Sequence, residues 1–196
     1  MHNENIRVLV VGLDKYPRNK RYGPLSLKGY DFCTVAFIPK LNNEKKHKDS
    51  DCERLYKITS YRRVMSFLAG KPLKMTEFSK YTNVEKVVHE FKEKGIYFVN
   101  IKELEINEIK HRFDENTLII LFGVATERAW KAQTKNLEDE LNVKELFFHH
   151  PSPQVHHDDW KYYDHEMKNR ESLKVNTEYI NKTMPKVYDL VNNMDI

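Results

Sequence analysis

Three short polar segments carry the residue types that could act on a substrate, and each follows an apolar run. Gly12-Leu13-Asp14-Lys15-Tyr16-Pro17 offers a carboxylate just beyond the run Ile6 to Val11. An aspartate in such a place commonly caps a helix or closes a turn, yet an ionised carboxylate can also stabilise a developing cation and orient a water. Tyr97-Phe98-Val99-Asn100 ends in an amide, whose donors and acceptor can hold a loop or read the edge of a planar ligand. His150-Pro151-Ser152-Pro153 presents an imidazole and a hydroxyl on a loop whose prolines fix φ and drive the preceding residues toward extended geometry. A stiff loop of that kind suits a wedge against a rigid partner.

These segments need elements to position them. Ile6 to Val11, stopping at Gly12, reads as a buried strand, and a long loop punctuated by Pro17, Gly23, Pro24, Gly29 and Pro39 follows to about residue 50. The pattern predicts a helix from about Asp51 to Ala69 with Gly70 as its stop, and another from Val84 to Lys94 ending at Gly95. Ile96 to Val99 reads as a strand with Asn100 at its tip, Glu103 to Phe113 as helical, and Thr117 to Phe122 as a strand closed by Gly123. A helix from about Ala125 to Asn136 and a strand from Glu145 to Phe148 lead into His149-His150-Pro151. Helices over roughly Asp158 to Arg170 and Asn176 to Asn193 end the chain, the second kinked or broken at Pro185. Alternating strands and helices imply an α/β fold with a parallel sheet covered on both faces, in which ligands bind beyond the carboxyl ends of the strands. No internal repeat, low-complexity tract or linker interrupts the pattern, so residues 1–196 read as a single domain.

The composition sets outer limits. With 40% hydrophobic and 32% charged residues the chain has an ordinary globular balance, and no apolar run approaches the roughly 20 residues that span a bilayer. The opening residues lack the basic and apolar regions of a signal peptide, so the expected location is intracellular, cytoplasmic or nuclear. Cys33 and Cys52 suit a reducing compartment and cannot build a four-cysteine metal site. The net charge of +4 leans mildly toward phosphate-bearing partners. Its clustering says more: Lys15, Arg18, Lys20, Arg21 and Lys28 crowd one segment, and Lys40, Lys45, Lys46 and Lys48 another.

Taken together, the three segments resemble the uracil-DNA glycosylase superfamily. Gly12, Asp14 and Tyr16 match its first motif, Gly-Gln-Asp-Pro-Tyr in the best-known branch, with Leu13 and Lys15 departing from it. Asn100 matches the strand-end asparagine, and His150 to Pro153 the closing His-Pro-Ser-Pro loop; the resemblance covers roughly Ile6 to Pro153. It implies a three-layer α/β/α fold with a short central parallel sheet, and a monofunctional enzyme that flips uracil from DNA and hydrolyses its N-glycosidic bond. Asp14 and His150 would be catalytic, Asp14 facing the sugar and His150 donating to uracil O2. His150 is preferred to His149, which strand alternation would send to the other face. Asn100 would read the uracil edge, Tyr16 would close the pocket over C5, and Phe32, with Phe37 in reserve, would stack on the base; core packing is the competing role for Phe32. Lys15, Arg18 and Ser152 would grip phosphates, and Gln154 stands where that branch inserts a leucine into DNA. The implied partner is DNA, met by a monomer without cofactor or metal.

Other readings compete. His149, His150, His156, His157, Asp158, Asp159 and His165 could suggest a metal-dependent hydrolase, although adjacent His-His and Asp-Asp pairs rarely point at one centre and no HExxH spacing occurs. The chain could instead be a catalytically silent module that binds modified DNA or a protein, although a pure binder needs neither Asp14 nor His150. A glycosylase for another deaminated or modified base is the remaining alternative, left open by the segment from Arg18 to Lys48.

Overall fold

β-branched and aromatic runs closed by glycine or asparagine become three of the strands of this protein, at Gly12, Asn100 and Gly123, as their composition dictates. The computed structural model describes residues 5–14, 19, 21–42, 48–137, 140–155, 157–165 and 182–194. In chain order these form β1 (Val8–Gly12), β2 (Tyr22–Leu25), β3 (Val35–Leu41), α1 (Asp51–Tyr56), α2 (Thr59–Ala69), α3 (Met75–Phe78), α4 (Val84–Glu93), β4 (Ile96–Asn100), α5 (Ile106–Ile109), β5 (Leu118–Phe122), α6 (Val124–Thr134), β6 (Lys144–Phe148), α7 (Asp158–Lys161) and α8 (Pro185–Asn192). The protein is α/β: β1, β4, β5 and β6 make one all-parallel sheet in the order β4-β1-β5-β6, flanked by helices.

The chain divides into two compact units, Met1–Asn42 with Phe91–His150, and Asn43–Glu90 with Pro151–Ile196. The first contains the parallel sheet, whose strand pleat sorts its residues onto two faces. Leu9, Val11, Tyr97, Val99, Ile119 and Leu121 bury one face against Ile106 of α5 and Trp130 of α6. On the other, Phe98 packs edge-on against Phe91 at the end of α4, their ring centres 5.0 Å apart. Tyr30 Oη accepts from the Phe98 N–H at 2.8 Å and donates to the Phe98 carbonyl at 3.2 Å, so its hydroxyl occupies backbone groups of the outermost strand.

The segment read as loop up to residue 50 contains a second, antiparallel sheet of β2 and β3. Pro24 and Pro39 obscure it in the sequence, yet they face each other where the ladder shifts register, a position that tolerates a missing donor.

In the second unit, the helix expected from Asp51 to Ala69 is two. Ile58 takes an extended backbone (ψ 94°), and α2 restarts after it. The Ser50–Glu53 capping box fixes the start of α1, and Gly70 ends α2 in the left-handed conformation (φ 74°) that its lack of a Cβ permits. Glu103 to Phe113, in the first unit, resolves into α5 between 3-10 turns. Pro185 opens α8 in its first turn, where its missing N–H costs nothing. Of the helix expected over Asp158 to Arg170, α7 covers only Asp158–Lys161 and a turn follows over residues 162–165, while residues 166–170 lie outside the described residues, as do residues 176–181 of the last expected helix. No helix among the described residues is long and apolar enough to cross a membrane.

Candidate functional site

The carboxyl ends of β4, β1, β5 and β6 lie side by side along one edge of the sheet. Gly12 pairs with Asn100 in register, Phe122 pairs with Phe148, and the Gly123 N–H donates to the Phe148 carbonyl at 2.7 Å. Asn100 and Asp14 therefore leave the adjacent strands β4 and β1, and His150 leaves β6 beyond β5, all at the same edge. Lys15, Tyr16 and Arg18 lie outside the described residues.

Phe37 ties two of those segments together. Its ring packs where a Cβ on residue 12 would stand, 2.9 Å from that position, so only glycine fits beneath it. The same ring meets Phe122 edge-on at 5.2 Å between centres and lies 6.1 Å from the His150 imidazole. Its backbone has φ 60°, a conformation costly for an aromatic residue. Phe32 has a different place. It packs edge-on against Tyr97 (6.0 Å) and Tyr30 (5.9 Å), inside the core cluster. The two-residue strand period sends Tyr97 and Asn100 to opposite faces, so of the two candidates Phe37, the reserve, shares a face with Gly12 and Asn100.

Asn100 is fully buried at the end of β4. Its Nδ2 donates to Thr34 Oγ1 at 2.6 Å, and Thr34 Oγ1 donates to Glu103 Oε2 at 2.5 Å. Asn100 Oδ1 is also buried, with no hydrogen-bond partner among the described residues. An unmet acceptor of that kind is rare and costs about 1–3 kcal/mol.

Asp14 pairs through Oδ2 with Lys102 Nζ at 2.7 Å, both side chains being about half exposed (50% and 57%). An ion pair so open to water contributes only about 0–1 kcal/mol, so Lys102 matters for the local charge more than for stability.

His150 lies over Gly123, whose φ of 103° suits glycine and whose absent Cβ leaves room for the ring, 3.3 Å from His150 Cβ. The adjacent His149 packs on Phe147 instead, with centres 5.4 Å apart, as alternation along β6 requires. Burial lowers the His150 pKa below 6.5, because desolvation disfavours the imidazolium. The ring is thus neutral at pH 7 and offers one N–H donor. The unfolded chain takes up this proton more readily than the folded one, so the His150 contribution to stability is fully present above pH 6.5 and is lost as pH drops toward the lower folded value. Urea denaturation at about pH 7.5 and about pH 5.5 should show a loss of stability in the wild type that is smaller in His150→Gln. An equal pH dependence in both proteins would contradict the half-buried neutral ring.

Compared with protein-family models, with curated proteins and with solved structures, the chain has no significant match in any of the three.

In the second unit, the loop carrying Ser152 and Gln154 is built on a buried arginine. Arg63 of α2, only 6% exposed, donates from Nη1 to the carbonyls of Ser152 (2.7 Å) and Val155 (3.2 Å) and more distantly to Pro151 (3.5 Å). Its Nε and Nη2 hold Asp164 Oδ2 at 2.9 and 2.5 Å, while Arg62 binds Oδ1 at 3.0 Å. Ser152 Oγ donates to Gln154 Oε1, and the Gln154 N–H donates back to Ser152 Oγ at 3.3 Å. Two expected DNA contacts are thus bonded to each other, with the backbone beneath them clamped.

No group of three or more histidine, cysteine, aspartate or glutamate side chains that could hold a metal occurs among the described residues. His156 and the side chain of Asp159 lie outside them. Thr34, Glu103, Lys102 and Arg63 are the residues that sequence reasoning missed. Each reaches its partner across at least 66 positions, which no local pattern reveals.

Proposed function

We propose that this chain is a monofunctional DNA glycosylase that extrudes uracil, or a related deaminated or modified base, and hydrolyses its N-glycosidic bond. We attach to it the three-layer α/β/α arrangement of the uracil-DNA glycosylase superfamily. The observation that carries this reading is the single sheet edge from which Asp14, Asn100 and His150 emerge, with Phe37 packed against both Gly12 and His150.

In the reaction the C1′–N1 bond breaks toward an oxocarbenium-like sugar, the electron pair leaves with the base, and water attacks C1′. Asp14 would stabilise the sugar cation and orient that water, whose proton ends on the departing base anion as the abasic hydroxyl forms. The neutral His150 imidazole would donate to base O2, where negative charge accumulates. Asn100 would accept from N3–H and donate to O4, Phe37 would stack on the base, and Tyr16 would exclude a C5 methyl. Lys15, Arg18, Ser152 and Gln154 would contact the DNA, which is the proposed partner, without a cofactor.

The test is incubation of the purified protein with oligonucleotides carrying one uracil, followed by alkali. Strand breaks at the uracil are expected. No breaks at uracil or at any other deaminated or modified base tested would remove the enzyme reading. One observation favours the silent-binder alternative: Lys102 partly neutralises Asp14. That alternative predicts retention of modified DNA without cleavage.

A further inference from the structure

We infer that Thr34 and Glu103 form a relay that locks the Asn100 amide in one orientation and so decides which hydrogen-bonding edge the site accepts. The inference rests on the glycosylase reading for its substrate and on hydrogen-bond logic for its geometry.

A carboxylate can only accept, a hydroxyl has one proton, and a carboxamide has a donor side and an acceptor side. Thr34 Oγ1 gives its proton to Glu103 Oε2 at 2.5 Å, so toward Asn100 it can only accept. The atom that faces it at 2.6 Å must then be Nδ2. A flipped amide would set two acceptors, Oδ1 and Oγ1, against each other with no proton between them. Oδ1 is consequently directed elsewhere as a buried acceptor with no partner among the described residues. A ligand that satisfies it must present a donor there. The N3–H of uracil does, whereas the bare N3 of cytosine would oppose Oδ1 with a second acceptor. A polar mismatch in a buried site discriminates by about 10⁴–10⁵. Asn100 alone cannot supply that selectivity, because a free amide rotates to suit either base. Thr34 and Glu103 are therefore positioning residues, acting on the base through Asn100.

Glu103→Gln breaks the logic at its origin. A glutamine amide can donate to Thr34 Oγ1, which frees the hydroxyl proton for Asn100 Oδ1 and permits the flipped amide. Thr34→Val removes the relay at nearly constant size, and Thr34→Ser restores the hydroxyl. The experiment compares single-turnover excision of uracil and of cytosine from otherwise identical oligonucleotides, alongside hydrogen exchange of the Asn100 Nδ2 protons by NMR. Glu103→Gln and Thr34→Val should narrow the uracil-to-cytosine ratio by at least about tenfold, the weight of one hydrogen bond, while Thr34→Ser keeps it. Exchange at Nδ2 should quicken about tenfold in Thr34→Val and remain slow in Thr34→Ser. A wild type that excises uracil and variants that keep its ratio would overturn the relay and leave the glycosylase reading intact. A wild type that excises nothing would remove the glycosylase reading; the relay then stands if exchange responds to Thr34→Val and falls if it does not.

Discussion

Asp14→Asn should preserve DNA binding and the fold while slowing base excision by about 10²–10³ or more, and His150→Ala should slow it by about 10²–10³. Both act on one transition state from opposite ends of the breaking bond, so the double variant need not lose the product of the two factors. The Asp14–Lys102 pair sharpens the expectation. Replacing the carboxylate leaves the ammonium of Lys102 facing a developing cation without its counter-charge, so Lys102→Met in the Asp14→Asn background should recover part of the rate. Single-turnover kinetics, with circular dichroism to confirm folding, measures all of these. Single variants that match an active wild type would mean that the chemistry lies elsewhere.

Arg63→Met should cost about 3–5 kcal/mol of stability, the range for removing one partner of a buried ion pair. The loss has two sources. Asp164 keeps only Arg62, and the carbonyls of Ser152 and Val155 lose their charged donor. Arg63→Lys should recover little, since one ammonium cannot reproduce a fork that serves both a carboxylate and backbone carbonyls. Arg62→Met is the control: its guanidinium is more exposed and holds a single carboxylate oxygen and the Tyr56 carbonyl, so its loss should be clearly smaller. Urea denaturation decides the order, and equal losses in the two variants would refute it.

Strands β1, β4 and β5 were legible because each is an uninterrupted apolar run with a glycine or polar stop. Val8 to Gly12 and Leu118 to Phe122 lie within two residues of the sequence reading. The β2–β3 sheet was not, because prolines at 24 and 39 argue against strands unless the register shift between them is known. The break at Ile58 escaped notice for a different reason. A β-branched residue is only mildly unfavourable in a helix, and tertiary packing decides whether it interrupts one. At the candidate site, segment-end polar residues could be picked out from the sequence, but their supports could not. Asn100 stood out at a strand tip, whereas Thr34 and Glu103 become its partners only when β4 and the segment before β3 come together. Choosing between Phe32 and Phe37 needed the parity of Tyr97 and Asn100 on one strand and the knowledge of which aromatic each meets.

The left-handed backbone of Phe37 is a local cost that the packing of its buried ring outweighs. Glycine at this position would relieve a conformational cost of about 1–3 kcal/mol, and it would also delete the ring that fills the space above Gly12. Removing a buried phenyl ring costs about 3–5 kcal/mol, more than that relief, so selection for heat resistance alone would keep the ring and with it the group proposed to stack on a flipped base. Engineers who want a hardier version of this protein should hold residue 37 fixed and look for gains elsewhere.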